Sequence, residues 1–472
     1  MAELTARRTA NAKVFDLGGG IRRHDFHTGL IHYQDSGRAW QEIDTTLVAK
    51  AGGWYQDKCA YSAELPTLAT GVFTYHHIDH DFTVSFPGAS PVSPEPVKHR
   101  RGELGKAFRY TDAFGAGCHL EVWCTNRGMK KVIVLDKPPT DVSNPIKFPF
   151  LILSAPTDIV KTDVSGLSAV AVDTSKTEAQ AVKCTDEIIR LQGVSAVSYI
   201  WKARAWDSAD ERRSWPIEVY FYESGGKRYF VKILSPAILK AATYPLYFDD
   251  PTDYAPPAGD GNVEMSGYST WDTTHDAVTG AYVSYTDGDN GIVARTGKDA
   301  SANYLITRGF VPFTTTGLSG TLTAANLALY VSGIIDTDDG DLCIVGPTTQ
   351  ASVTTLSTAD FDQCAAIDSP TEIASRVDFG SITATQVNNF TITSLGASPT
   401  WIVGNYAMIG LREENDVIDS AYAGANNTHN RLRADASENA DAGQDPVLGI
   451  TVAAGASAVP VFMHHYTQQR KK

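Results

Sequence analysis

The stretch Tyr304-Leu305-Ile306-Thr307-Arg308-Gly309-Phe310-Val311-Pro312-Phe313 and, after a glycine-rich turn, Leu322-Thr323-Ala324-Ala325-Asn326-Leu327-Ala328-Leu329-Tyr330-Val331 decide the fold. Leu327, Leu329 and Val331 alternate with Ala328 and Tyr330, the two-residue period of a strand that buries one face. Phe390 and Ile392 repeat the pattern against Thr391 and Thr393. Further on, His429-Asn430-Arg431-Leu432-Arg433 leads through Ser437-Glu438 to Asp445-Pro446-Val447-Leu448-Gly449-Ile450-Thr451-Val452, the closing turn and final strand of a β-sandwich. Arg308 stands between Ile306 and Phe310. If the three share an inward face, the guanidinium must meet an acid or backbone carbonyls, because an unpaired buried charge is prohibitive. The other reading places Arg308 on the solvent face of an edge strand.

At 472 residues the chain exceeds a single core and predicts two or three domains, at about 100–200 residues each. Long helical periodicity is scarce while Thr, Ser, Gly, Val and Tyr abound, which predicts an all-β protein. A formal charge of −14 argues against nucleic acid as a partner, since phosphate binding needs clustered Lys and Arg. No apolar run approaches the roughly 18 residues of a membrane span, and Met1 to Arg8 lack the apolar core of a signal peptide. The expectation is therefore neither Sec export nor membrane insertion. Six cysteines without a C-x-x-C pair predict buried, reduced thiols.

Residues 1–250 read as a β-rich, sandwich-like region divided into two lobes by a break near 87–101, where Ser90-Pro91-Val92-Ser93-Pro94-Glu95-Pro96 suggests an exposed loop. Gly18-Gly19-Gly20 predicts a turn between strands. Ile217, Val219 and Phe221, the turn Glu223-Ser224-Gly225-Gly226-Lys227, and Tyr229, Val231 and Ile233 predict a hairpin. Residues 251–261, with Pro256-Pro257, are the expected linker, 262–454 the second domain and 455–472 a tail.

In their order, the blocks at 304–313, 322–331 and 429–452 resemble a DNRLRE-type domain, a jelly-roll relative of carbohydrate-binding modules. Thr28 to Gly37 with Trp40 to Leu47, Ala116 to Trp123 with Gly128 to Leu135, and Tyr229 to Pro251 resemble the phage-type region that precedes such domains. The resemblance implies an N-terminal β-rich region followed by a C-terminal jelly-roll β-sandwich. It also implies a structural protein of a tailed-phage virion, displayed on the exterior as capsid decoration, neck, tail or fibre component. Its implied partners are other virion proteins, further copies of itself and a host-surface glycan. A carbohydrate-binding module of a bacterial surface protein is the reading from a different class.

No catalytic residues are assigned, because the sequence has no G-x-S-x-G elbow, H-E-x-x-H, Walker loop or spaced Cys/His zinc set. A non-enzymatic role without a cofactor is expected. His76-His77-Ile78-Asp79-His80-Asp81 is the densest ligand-like cluster; on a strand His76 and His80 would share a face opposite His77, Asp79 and Asp81, which cannot close a tetrahedral Zn or Ni site without ligands from elsewhere, so a solvated strand or hairpin is expected. Asp336, Asp338, Asp339 and Asp341 offer oxygens suited to structural Ca²⁺, though without EF-hand spacing. Trp201, Trp206, Trp215, Trp271 and Trp401 are candidates for sugar stacking, against the ordinary role of tryptophan as core. At the C-terminus, Phe462, Met463 and Tyr466 are expected to anchor a partner and Arg470, Lys471 and Lys472 to guide it by charge.

Overall fold

The computed structural model describes residues 1–98, 104–156, 158–162, 169–181, 183–185, 188–194, 196–200, 203–208, 214–249, 252–253, 259–284, 291–437 and 444–453. They form an all-β protein with three large antiparallel sheets of 15, 9 and 12 strands and one isolated two-stranded ribbon. The helical segments described are short, the longest being Pro236–Ala241 and Thr358–Gln363. Pro236–Ala241 follows Ser235, whose side chain accepts from the Ile238 backbone N–H, with proline in the first turn where its missing donor is not needed.

The 9- and 12-stranded sheets share one core, as a sandwich requires. Phe73, Phe82, Phe150 and Phe230 of the first sheet belong to the same apolar cluster as Tyr110, Leu120, Val122, Ile133 and Phe248 of the second. The expected hairpin is present: Glu218–Ser224 pairs with Lys227–Leu234, and Gly225 and Gly226 adopt φ of 60° and 71°, values that close a two-residue turn without Cβ strain. Both of its faces are covered, since Tyr220, Val231 and Ile233 form a second cluster behind the main core.

The break near 87–101 differs from expectation. Pro94–Lys98 is a strand paired with Leu104–Tyr110 at the edge of the 12-stranded sheet. Prolines two residues apart keep their donor-less nitrogens on one side of the strand, and an edge strand can turn that side away from its neighbour. The linker also differs. Thr252–Asp253 pairs with both Gly128–Met129 and Tyr199–Ile200, and a strand begins at Gly261. Pro256-Pro257 itself lies outside the described residues.

The 15-stranded sheet builds the C-terminal β-sandwich. Its main path runs Ile21–His27, Val447–Ala453, Thr321–Ile335, Thr428–Ala434, Ile292–Lys298, Tyr304–Thr314, Tyr406–Glu413 and Asp341–Val345. The N-terminal hairpin, Ala12–Gly18 paired with Ile21–His27, thus docks on the last strand, with Phe26 opposite Leu448 and His24 opposite Ile450. The first 27 residues therefore cross the boundary drawn from sequence, because Ala12 and Phe26 bury their side chains in the C-terminal core with Phe313, Leu327 and Ile450. Gly18 to Gly20 make the turn, all at positive φ.

The strand Tyr304–Thr314 is buried on both faces. Val311 and Phe313 enter the main core. Ile306 and Phe310 point the other way, into a smaller core closed by Trp271, Phe361 and Val417 from short helical segments. All six cysteines are buried free thiols.

Candidate functional site

Arg308 shares this second face with Ile306 and Phe310 and is 1% exposed, so the inward reading holds and its demand for partners is met. Its Nη2 donates to Asp416 Oδ1 at 2.7 Å and its Nε to Asp416 Oδ2 at 3.0 Å. Nη1 donates to the Phe361 carbonyl at 3.1 Å, Nη2 also to the His275 carbonyl at 3.1 Å, and the guanidinium lies 4.2 Å from the Phe361 ring centre. Arg412 approaches from the neighbouring strand: Nε meets Asp416 Oδ2 at 2.6 Å, while Nη1 and Nη2 donate to the carbonyls of Ala366 and Ile367 at 2.8 and 3.0 Å.

Local sequence explains how one carboxylate reaches both arginines. The strand Tyr406–Glu413 ends at Glu413, which caps the one-turn helix Glu414–Val417 by accepting from the Asn415 N–H at 2.8 Å. That turn puts Asp416 four residues beyond Arg412, on the same side. Burial would raise the Asp416 pKa, but Arg308 and Arg412 outweigh it and hold the carboxyl well below the usual range. Among the described residues no cation is paired with Glu413. Burial raises its pKa, partly offset by donors from Thr296, Asn430 and Asn415.

At the rim of this cluster, His275 ends the helix Trp271–His275 and stacks on Trp271 with ring centres 5.6 Å apart. It has no exposed surface. Its Nε2 lies 3.0 Å from the Asp416 carbonyl, and its Nδ1 lies 2.6 Å from Asp276 Oδ1 and 3.5 Å from Asp419 Oδ1. Ligand atoms of His275, Asp276 and Asp368 fall within 4.8 Å of one another, the convergence of metal-ligating side chains found among the described residues.

Asp336, Asp338, Asp339 and Asp341 do not form such a group. Asp336, exposed, accepts from the Gly340 N–H of its own loop, and the backbone N–H of Asp338 is held by Asn430 Oδ1. Asp341 sits on a strand opposite Asp378, its pKa raised by burial and by the carboxylates of Glu414 and Asp378.

The histidine cluster is a hairpin, one of the two forms expected, in which Phe73–His77 pairs with His80–Ser85 around Ile78 and Asp79; His77 and His80 are buried rather than solvated. His77 and His80 become cross-strand partners, and both reach the Ser198 hydroxyl, at 3.1 and 2.8 Å. Asp79 Oδ1 lies 2.9 Å from His80 Nδ1, so Asp79, His80 and Ser198 follow the hydrogen-bond order of a nucleophilic triad. Ser198 is fully buried and shared by two imidazoles, an arrangement that satisfies interior polar atoms and offers no nucleophile to solvent.

Among the tryptophans, Trp271 and Trp401 are buried and Trp206 and Trp215 half-buried, while Trp201 lies outside the described residues. The Trp401 indole donates to the Ser394 carbonyl at 2.7 Å, a core role. Phe462, Met463, Tyr466, Arg470, Lys471 and Lys472 also lie outside the described residues. Sequence reasoning found Arg308 but missed Arg412, Asp416 and His275. The usable signal for the first two was an arginine ending an apolar strand with an acid four residues on.

No family model matches the chain, and no curated protein matches it. Among solved structures, a Trypanosoma rangeli sialidase in complex with sialic acid was found, 7% identical over 96% of this chain and 99% of that one, with a TM-score of 0.10. A score of that size supports no inference about fold or activity.

Proposed function

We propose that this chain is a non-catalytic structural protein of a tailed-phage virion, displayed on the particle exterior and acting by binding and assembly. One observation carries the reading. The blocks that resemble a DNRLRE-type domain, scattered from residue 304 to residue 452, come together in one sheet: Thr321–Ile335 lies between Val447–Ala453 and Thr428–Ala434, and Ile292–Lys298 joins the latter to Tyr304–Thr314. Sequence blocks that are spatial neighbours form a common architectural unit, as a jelly roll would. The chemistry agrees, because Arg308, Arg412, Asp416 and Glu413 are all engaged in cross-links between elements. Such groups hold loops in place.

The test is immunogold electron microscopy with antibody to the purified chain, on particles released from cells that encode it. Gold on the particle exterior is expected. Particles free of label and of the chain by mass spectrometry would overturn the proposal, as would turnover of polysaccharide, peptidoglycan or ester substrates by the purified protein.

A further inference from the structure

We propose that His275, Asp276, Asp368 and Asp419 bind a divalent first-row transition cation of the Zn²⁺ class at the rim of the C-terminal sandwich. The argument begins with proton bookkeeping at His275. The Asp416 carbonyl, 3.0 Å from Nε2, can only accept, so Nε2 carries the ring proton. Nδ1 is then the nitrogen left to join the carboxylates, through a second ring proton or through a metal ion. It is fully buried and directed at Asp276 Oδ1 and Asp419 Oδ1, which also only accept. Ligand atoms of His275, Asp276 and Asp368 converge within 4.8 Å, and a cation taking the place of the second ring proton would be held by Nδ1 and the carboxylates together.

His275, Asp419 and the chain leading to Asp368 are also held from behind. The Asp416 carbonyl sets the His275 tautomer, and Arg308 Nη2 holds the His275 carbonyl. The Trp271 indole donates to Asp419 Oδ1 at 2.9 Å. Arg412 grips the carbonyls of Ala366 and Ile367, immediately before Asp368. A histidine ligand whose other ring nitrogen donates to a backbone carbonyl, ringed by buried groups that fix its neighbours, is the outer shell that metal sites require.

The donor set selects the metal. An imidazole nitrogen with carboxylates suits Zn²⁺ and its first-row neighbours, whereas Ca²⁺ takes oxygen ligands alone. Zinc–ligand bonds of about 2.0–2.2 Å place ligand atoms about 3.3–3.6 Å apart in a tetrahedron. His275 Nδ1 and Asp419 Oδ1 already stand 3.5 Å apart, and Asp276 and Asp419, 58% and 49% exposed, can rotate to adjust. The bound ion would pin the helix Trp271–His275, the loop bearing Asp368 and the turn after Val417 to one another.

The full-length chain, treated with chelator, is titrated with Zn²⁺ while following thermal unfolding and calorimetric heat, and with Co²⁺ while recording visible absorption. A melting temperature that rises with Zn²⁺ concentration and a Co²⁺ spectrum with nitrogen and oxygen ligation are expected. In the Asp276→Asn/Asp368→Asn double variant Zn²⁺ affinity, measured against that variant's own metal-free melting, should fall at least tenfold. That variant separates this site from histidines elsewhere in the chain, and it avoids replacing buried His275. Zn²⁺ without effect on the wild-type chain, equal binding by the double variant, or stabilisation by Ca²⁺ alone would each overturn the proposal.

Discussion

Asp416 is the residue on which the C-terminal sandwich leans most heavily. Replacing it with asparagine keeps the shape but leaves Arg308 and Arg412 buried without a counter-charge, and losing one partner of a buried ionic cluster costs about 3–5 kcal/mol. Asp416→Asn should therefore lower the urea midpoint steeply, and a midpoint near wild type would show that the carbonyls of Phe361, Ala366 and Ile367 suffice. The histidines give a second expectation. Burial lowers the pKa of His77 to about 4, with His80 adding to the effect, and that of His27 likewise to about 4. The unfolded chain takes up these protons near 6.5, so between the two values it binds more protons than the native state and stability rises with pH. The contribution is whole above about 6.5 and lost as pH falls through about 4. Buried Asp260 and Glu413, with raised pKa, act with the opposite sign, so the reading is a difference. His77→Gln should flatten the urea midpoint between pH 7 and 4.5 relative to wild type; parallel profiles would refute it.

At the scale of elements, the N-terminal hairpin matters most, because it belongs to a core that starts more than two hundred residues later. Removing residues 1–27 would strip Phe26 and Ala12 from that core and uncover one edge of Val447–Ala453. Burial of one phenylalanine alone is worth roughly 1.5–3 kcal/mol, and a bare apolar edge invites strand pairing between chains. The shortened chain should melt lower and aggregate in light scattering, while one that stays monomeric at the wild-type melting temperature would mean the hairpin is an ornament. This is also where sequence reasoning reached its limit. Gly18 to Gly20 and Gly225-Gly226 announce their hairpins, because turn chemistry is local. Nothing local tells Ile21–His27 that its other neighbour is the last strand. Pro94–Lys98 reads as loop in the sequence for a related reason, since its prolines forbid a central strand but not an edge. The rim around His275 was equally hidden, as His275, Asp368 and Asp419 come from three separated segments that only the fold brings together.

Across the whole molecule, the two halves meet where the turn between Cys118–Cys124 and Gly128–Leu135 reaches the entry to the final strand. Asn126 donates to the Leu30 carbonyl at 3.0 Å and to Asp445 Oδ2 at 3.4 Å. The final strand is itself enclosed, with Ile21–His27 on one side and Thr321–Ile335 on the other. Both of these pairings are made by residues up to Ala453, so a truncation beyond residue 459 leaves them in place. Deleting residues 460–472 should accordingly leave thermal unfolding unchanged and isolate what the tail does. If Phe462, Met463 and Tyr466 dock on a neighbouring subunit and Arg470, Lys471 and Lys472 steer them towards an acidic surface, the shortened chain should assemble less well in light scattering. Charge reversal of the last three residues should mainly alter the salt dependence of association, because screening acts on steering over about 8–10 Å and hardly on apolar contact. Equal assembly by the shortened chain would move the search for the attachment surface to the N-terminal half.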